Sequence, residues 1–139
     1  MRHFPDTNIL LYSISRSQDE SLKRAKAIAL LDDDTGALSV QVLQEFYVQA
    51  TRASRADAIS HEQAVGLIEA WSRFRIQETT VAVLHLALQI RKAHGLSFWD
   101  SAIIGAARAL GCERVYTEDM NHGQVVEGVA IVNLFRSEA

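Results

Sequence analysis

Short apolar runs alternate with helix-length amphipathic segments along the whole of this chain, and that alternation restricts its fold more than any other feature. His3 to Asp6, Ala37 to Ser39, Arg75 to Glu78, Val115 to Thr117 and Val129 to Val132 read as strands. The segments between them read as helices. The clearest has Trp99, Ala102, Ile103, Ala106, Ala107 and Leu110 at i, i+3, i+4, i+7, i+8 and i+11, the spacing of one helix face. Strands separated by helices need right-handed crossovers. The expectation is therefore an α/β fold with a parallel sheet covered by helices on both faces.

Local signals place the boundaries. Glu20 to Leu31 is a helix containing Ala27, Ile28, Leu30 and Leu31, closed by the turn Asp32-Asp33-Asp34-Thr35-Gly36. Ser39 caps a helix running to about Thr51, and Ser60-His61-Glu62-Gln63 is a capping box opening the next, since Ser and Gln three apart satisfy two orphan amides reciprocally. Thr80 caps a helix whose apolar residues are Val81, Leu84, Ala87 and Leu88, with His85 expected to be packed among them. It ends at His94-Gly95, where glycine supplies the left-handed cap, and Gly111 stops the following helix. With no repeat, no low-complexity tract and no linker, residues 1–139 read as one domain.

Composition narrows the classes that remain. A chain of 139 residues buries roughly 70% of its unfolded surface and needs no staples. Its one cysteine, Cys112, excludes an internal disulfide and fits a reducing compartment. The start, Met1-Arg2-His3-Phe4-Pro5-Asp6, lacks the apolar core of a secretory signal, and Val81 to Ile90 is too short to span a bilayer. A cytoplasmic location is expected. The net charge of −3 argues against extended duplex binding, because phosphate contacts call for a basic surface. Local basic groups at Lys23-Arg24-Lys26 and Arg52/Arg55 read as solvated helix faces.

Four carboxylates converge if this topology holds. Asp6 closes the first strand, Asp119 lies just beyond the fourth, Glu45 is in the second turn of the helix leaving the second strand, and Asp100 is in the first turn of its helix. Ligands of open α/β sheets bind beyond the carboxyl ends of the strands, which is where these residues fall. Each also has a structural role open to it. Asp6 can cap a helix starting near Thr7, Asp100 fits the capping signature Ser97-Phe98-Trp99-Asp100, Asp119 can be a turn residue and Glu45 an exposed helix charge. Together, carboxylates at one sheet edge repel unless a cation holds them.

Oxygen ligands without cysteine or paired histidine suit Mg²⁺, with Mn²⁺ also suitable. His3, His61, His85, His94 and His122 have no zinc spacing; His122, close to Asp119, reads as a turn residue. A carboxylate-held Mg²⁺ polarises phosphoryl oxygens and activates water, which is the chemistry of phosphodiester hydrolysis.

At these residues the sequence resembles PIN-domain ribonucleases, in particular the VapC-like toxins of type II toxin–antitoxin pairs. The resemblance is carried, in the family's order and spacing, by Asp6-Thr7-Asn8-Ile9-Leu10-Leu11-Tyr12, by Ser39-Val40-Gln41-Val42-Leu43-Gln44-Glu45-Phe46, by Leu96-Ser97-Phe98-Trp99-Asp100-Ser101 and by Thr117-Glu118-Asp119-Met120-Asn121-His122-Gly123. It implies a three-layer α/β/α sandwich around a five-stranded parallel sheet. It implies catalysis by Asp6, Glu45, Asp100 and Asp119, with Mg²⁺ or Mn²⁺ on Asp6, Asp100 and Asp119, and with Asn8 and Thr117 in support. It further implies an RNA substrate, a homodimer and a small antitoxin protein as partner. Two positions depart from the pattern: Pro5 stands where an aliphatic residue is usual, so the first strand is expected to end early, and Leu134 stands where this subgroup often has proline.

Other acidic α/β designs fit less well. A phosphoacceptor receiver domain needs an aspartate after the third strand and a lysine after the fifth, but Glu78-Thr79-Thr80 follows the third and no lysine follows Lys92. A phosphatase with Asp6 as nucleophile lacks its second acid, which is Asn8 here. A PIN-like binding module without catalysis, and a PIN nuclease used in RNA processing, stay open as alternatives.

Overall fold

The computed structural model describes residues 2–136. In chain order the elements are β1 (His3–Pro5), α1 (Thr7–Ser13), α2 (Ser21–Leu31), β2 (Ala37–Ser39), α3 (Val40–Ala50), α4 (His61–Trp71), β3 (Arg75–Gln77), α5 (Val81–His94), α6 (Phe98–Ala109), β4 (Arg114–Tyr116), β5 (Val125–Val126) and β6 (Val129–Val132). Every strand of β1 and β2 is buried at each successive residue. Neighbouring side chains on a strand point to opposite faces, so both faces of these strands are covered and the layers are helix, sheet, helix.

The five expected strands are all present, but they do not form one continuous ladder. A four-stranded sheet has the order β1-β4-β6-β5, and β2 pairs with β3 separately. Between β1 and β2 only an isolated bridge remains, His3 with Gly36. Proline explains the gap. His3 N donates to Thr35 O on the β2 side, whereas Asp6 N donates to Tyr116 O on the β4 side. Amide direction alternates along a strand, so the Pro5 nitrogen faces β2 and has no hydrogen to give. Pro5 therefore does not end β1, which includes it in register with Tyr116. It ends the pairing on one side only.

The added edge strand, β5, is antiparallel to β6. Glu127 and Gly128 join them in a two-residue loop with φ of 51° and 82°, the pair of positive values that a type I′ hairpin requires.

The caps behave as their sequences predict. Ser39, Ser60, Thr80 and Ser97 each accept from a backbone amide of the helix they start, and Ser60 with Gln63 completes the capping box. Gly95 closes α5 in the left-handed conformation, φ 69°. The core is built around Phe4, Leu38, Phe46, Ile90, Ile104, Val115 and Ile131, all fully buried. Phe46 meets Trp71 edge to face with ring centroids 4.8 Å apart. Truncating a core aromatic of this kind typically costs about 3–5 kcal/mol.

Helix α5 departs from its sequence pattern. Ala87 and Ile90 are buried, but Val81, Leu84 and Leu88 are exposed, and so is His85, which does not pack as expected. The two helices meet along the Ala87 and Ile90 side of α5: at Gly105 of α6 an added Cβ would lie 3.5 Å from the Ala87 nitrogen, and Val81, Leu84 and Leu88 lie outside that seam. Trp99, first in the periodic series of α6, is 63% exposed.

Candidate active site

Asp6 is the residue at which β1 becomes α1, and the fold uses its carboxylate twice. Oδ1 accepts from the Thr7 amide at 2.7 Å and Oδ2 from the Thr117 hydroxyl at 2.9 Å. The first is the helix cap expected of an aspartate in this position. Asp6 is only 8% exposed. Burial raises its pKa to about 6, against the two hydrogen bonds, with the charges of Glu45 and Asp119 adding to the rise.

The other carboxylates reach the same place from separate elements. Glu45, on α3, accepts from Thr7 Oγ1 at 2.7 Å and from Gln41 Nε2 at 3.0 Å. Asp100 sits in the first turn of α6, its amide donating to Ser97 Oγ at 3.1 Å. Partial burial raises its pKa, and Asp119 and Glu45 add to that rise. Asp119 follows β4 in an exposed loop, and its carboxylate accepts from Asn8 Nδ2 at 3.0 Å. The Asp119 amide donates to the Thr117 hydroxyl at 3.1 Å. All four carboxylates line one cleft of about 160 Å³.

No lysine or arginine forms an ion pair with any of them among the described residues. The cleft therefore carries like charges offset only by hydroxyl and amide donors. Its donor set is entirely oxygen, which suits a hard dication. The side chains do not close on one point, however: among the described residues no three His, Cys, Asp or Glu stand close enough together to hold an ion as they are.

Two further supports lie within the acidic segments but carry no charge to mark them. Thr7 and Gln41 fix Glu45, the first across 38 positions of sequence and the second one helical turn away. Gln41 to Glu45 is an i, i+4 pair and so was open to detection from helix spacing; Thr7 was not. Of the expected supports, Asn8 lines the cleft and Thr117 lies fully buried behind Asp6, their side chains 3.5 Å apart. Beside Asp119, Glu118 is drawn away from the cleft: Tyr12 Oη donates to it at 2.5 Å and Lys23 forms an ion pair with it. Lys23 also lies 4.8 Å from the centre of the Tyr12 ring. It is thus committed to Glu118 and not part of a free basic face with Arg24 and Lys26. His122 holds a turn, its Nδ1 accepting from the Asn133 amide at 3.0 Å.

The model of the family described as PIN domain matches residues 3–127. No curated protein matches the sequence. Among solved structures, a chain of a toxin–antitoxin complex from Klebsiella pneumoniae superposes with a TM-score of 0.69 at 22% identity, over 99% of this chain and 100% of that one. The Mycobacterium tuberculosis toxin VapC20, described as cleaving the sarcin-ricin loop, gives 0.64 at 19% identity over 84% and 91%. A chain of FitAcB from Neisseria gonorrhoeae gives 0.64 at 20% identity over 97% and 99%. At these identities the likeness is one of fold. No described helix is long and apolar enough to cross a membrane.

Proposed function

The chain belongs to the PIN-domain family, and from that membership we propose that it is a metal-dependent endoribonuclease, acting in the cytoplasm as the toxin of a toxin–antitoxin pair. One observation carries the enzymatic reading: four carboxylates from four separate elements line a single cleft and none has a cationic partner among the described residues. Such an arrangement costs the fold stability, and a cation-dependent site gives it a purpose.

In this reading Asp6, Asp100 and Asp119 hold Mg²⁺, or Mn²⁺ in its place. A dication bound there supplies charge stabilisation at the phosphoryl oxygens and lowers the pKa of water. Glu45, held by Thr7 and Gln41, accepts the proton of the attacking water. Thr117 and Asn8 orient Asp6 and Asp119, and Thr117 also keeps Asp6 from rising further in pKa. The side chains must draw together for the ion, and Asp119 is the most exposed of the four.

The test is direct. Purified protein is incubated with total cellular RNA in Mg²⁺, in Mn²⁺ and in chelator, and the products are mapped. Discrete cuts that need the dication and are lost in Asp100→Asn support the reading, because an amide is a poor ligand for these ions. Intact RNA under all conditions overturns it.

The toxin role rests on the kind of assembly in which the structural neighbours were solved, so it is an argument by analogy. It includes a small antitoxin partner and a homodimer. Expression of this chain alone should arrest bacterial growth, and the small protein encoded beside it should restore growth. Unimpeded growth with soluble, active nuclease would assign it to RNA processing.

A further inference from the structure

We infer that Trp99 is a nucleobase-stacking platform that seats the base next to the phosphate being cut, an inference that rests on the ribonuclease reading. Trp99 precedes Asp100 in the first turn of α6, so its indole is fixed in register with a carboxylate of the cleft. It is 63% exposed, whereas Trp71 is 5% exposed. Phe98 holds it edge to face, with ring centroids 5.0 Å apart at 78°, and so limits its rotation.

Three hollows meet at this indole. It lines the acidic cleft itself. It also lines an adjoining groove of about 220 Å³ floored by apolar side chains, among them Leu84, Phe98 and Ala102. A third hollow, on its α3 side, contains Arg52 and Gln44, and Arg52 has no ion pair among the described residues.

A flat base with charged phosphates on either side fits that junction. The indole face takes the base, the acidic cleft with its dication takes one phosphate, and Arg52 is placed for a neighbouring phosphate. Gln44, which borders both the groove and the Arg52 hollow, offers an amide to a base edge. A protein partner fits less well. Covering Trp99 with a broad apolar surface would also bury Asp100 beside it, and an uncompensated buried charge is strongly unfavourable. Stacking on an aromatic is sequence-tolerant, because every base has a π-face. The amides, not the indole, would then impose any base preference.

The experiment uses a single-stranded RNA hexamer of mixed sequence and an abasic hexamer of equal length, each titrated into the protein in chelator so that no cutting occurs. The chain has two tryptophans, and Trp71 is sheltered, so quenching of exposed indole emission reports on Trp99. The RNA should quench it and the abasic strand should not. Trp99→Ala should weaken RNA binding by about 5- to 150-fold, the usual range for one stacked base, while Trp99→Phe keeps most of the affinity. In Mg²⁺, Trp99→Ala should raise KM with little change in kcat, the mark of lost uniform binding. Equal quenching by both strands, or equal RNA affinity in Trp99→Ala and the parent, overturns the inference. So does Trp99 emission that answers to protein dilution but not to RNA, which would place the indole between two copies of the chain. Failure of the parent to cut RNA would refute the nuclease reading, and the titration in chelator would still decide stacking.

Discussion

The Thr117 hydroxyl donates to Oδ2 of Asp6 across 2.9 Å and accepts from the Asp119 amide at 3.1 Å. One fully buried side chain thus couples the end of β1 to the loop that carries a second acid of the cleft. Asp6 needs a donor there, because burial works against its charge.

Thr117→Val keeps the shape and removes the hydroxyl. Asp6 then loses a bond that favours its charged form, so its pKa should rise above the present value of about 6. The acid limb of the pH–rate profile for RNA cleavage should move to higher pH in the variant. Folding stability at neutral pH should fall by about 1–3 kcal/mol, the cost of leaving a buried acceptor short of a partner. An unmoved acid limb would show that Asp6 does not control the rate.

Asp6→Asn should change how metal-free stability depends on pH. The Asp6 pKa is raised in the folded state, from 3.8 to about 6. The folded chain therefore binds more protons than the unfolded one between those values, and stability falls as pH rises through that window. Asparagine cannot ionise. In chelator the variant should match the parent near pH 4 and gain on it up to about pH 7, by roughly 3 kcal/mol at most. Other carboxylates, such as Asp33, which is held low by the Thr35 amide, cancel in the difference. Urea denaturation of both proteins across this range makes the measurement, and parallel curves would mean that Asp6 is not charged at a cost.

Mg²⁺ should stabilise the parent by mass action. With a dissociation constant of about 1 mM, ~10 mM Mg²⁺ adds roughly 1.4 kcal/mol, or a melting shift of about 3–6 °C for a chain of this size. Asp100→Asn should raise metal-free stability, by removing a repelling charge, and shrink the Mg²⁺ increment. Four melting curves at matched ionic strength decide it. Equal shifts in both proteins would place the ion elsewhere.

Gly66→Ala tests the helix physics away from the site. Gly66 is an exposed interior residue of α4, and an added Cβ meets nothing within 4 Å. Alanine should stabilise the protein by about 0.5–1 kcal/mol and leave RNA cleavage unchanged. A destabilised variant would show that the α4 surface is covered in solution.

Much of this protein is legible in its sequence because the relevant forces act over a few residues. The Ser60-to-Gln63 capping box and the Gly95 cap are set by hydrogen bonds and torsions within one turn, the strands announce themselves as short apolar runs, and the structure has them where the sequence places them. The order of the acidic motifs follows from strands that alternate with helices, so Asp6, Glu45, Asp100 and Asp119 arriving at one cleft was foreseeable. Other features needed the packed chain. Whether the missing Pro5 hydrogen divides the sheet depends on which neighbour lies on its nitrogen side. Thr7 grips Glu45, and Lys23 is tied to Glu118, through contacts spanning 38 and 95 positions. The period of α5 marks an apolar stripe but not which part of it a neighbour will cover: Ala87 and Ile90 meet the core, and Leu84 and Leu88 stay in solvent. Local patterns fix what each segment becomes; only packing decides which side chains meet, because burial and long-range hydrogen bonds are properties of the assembled chain.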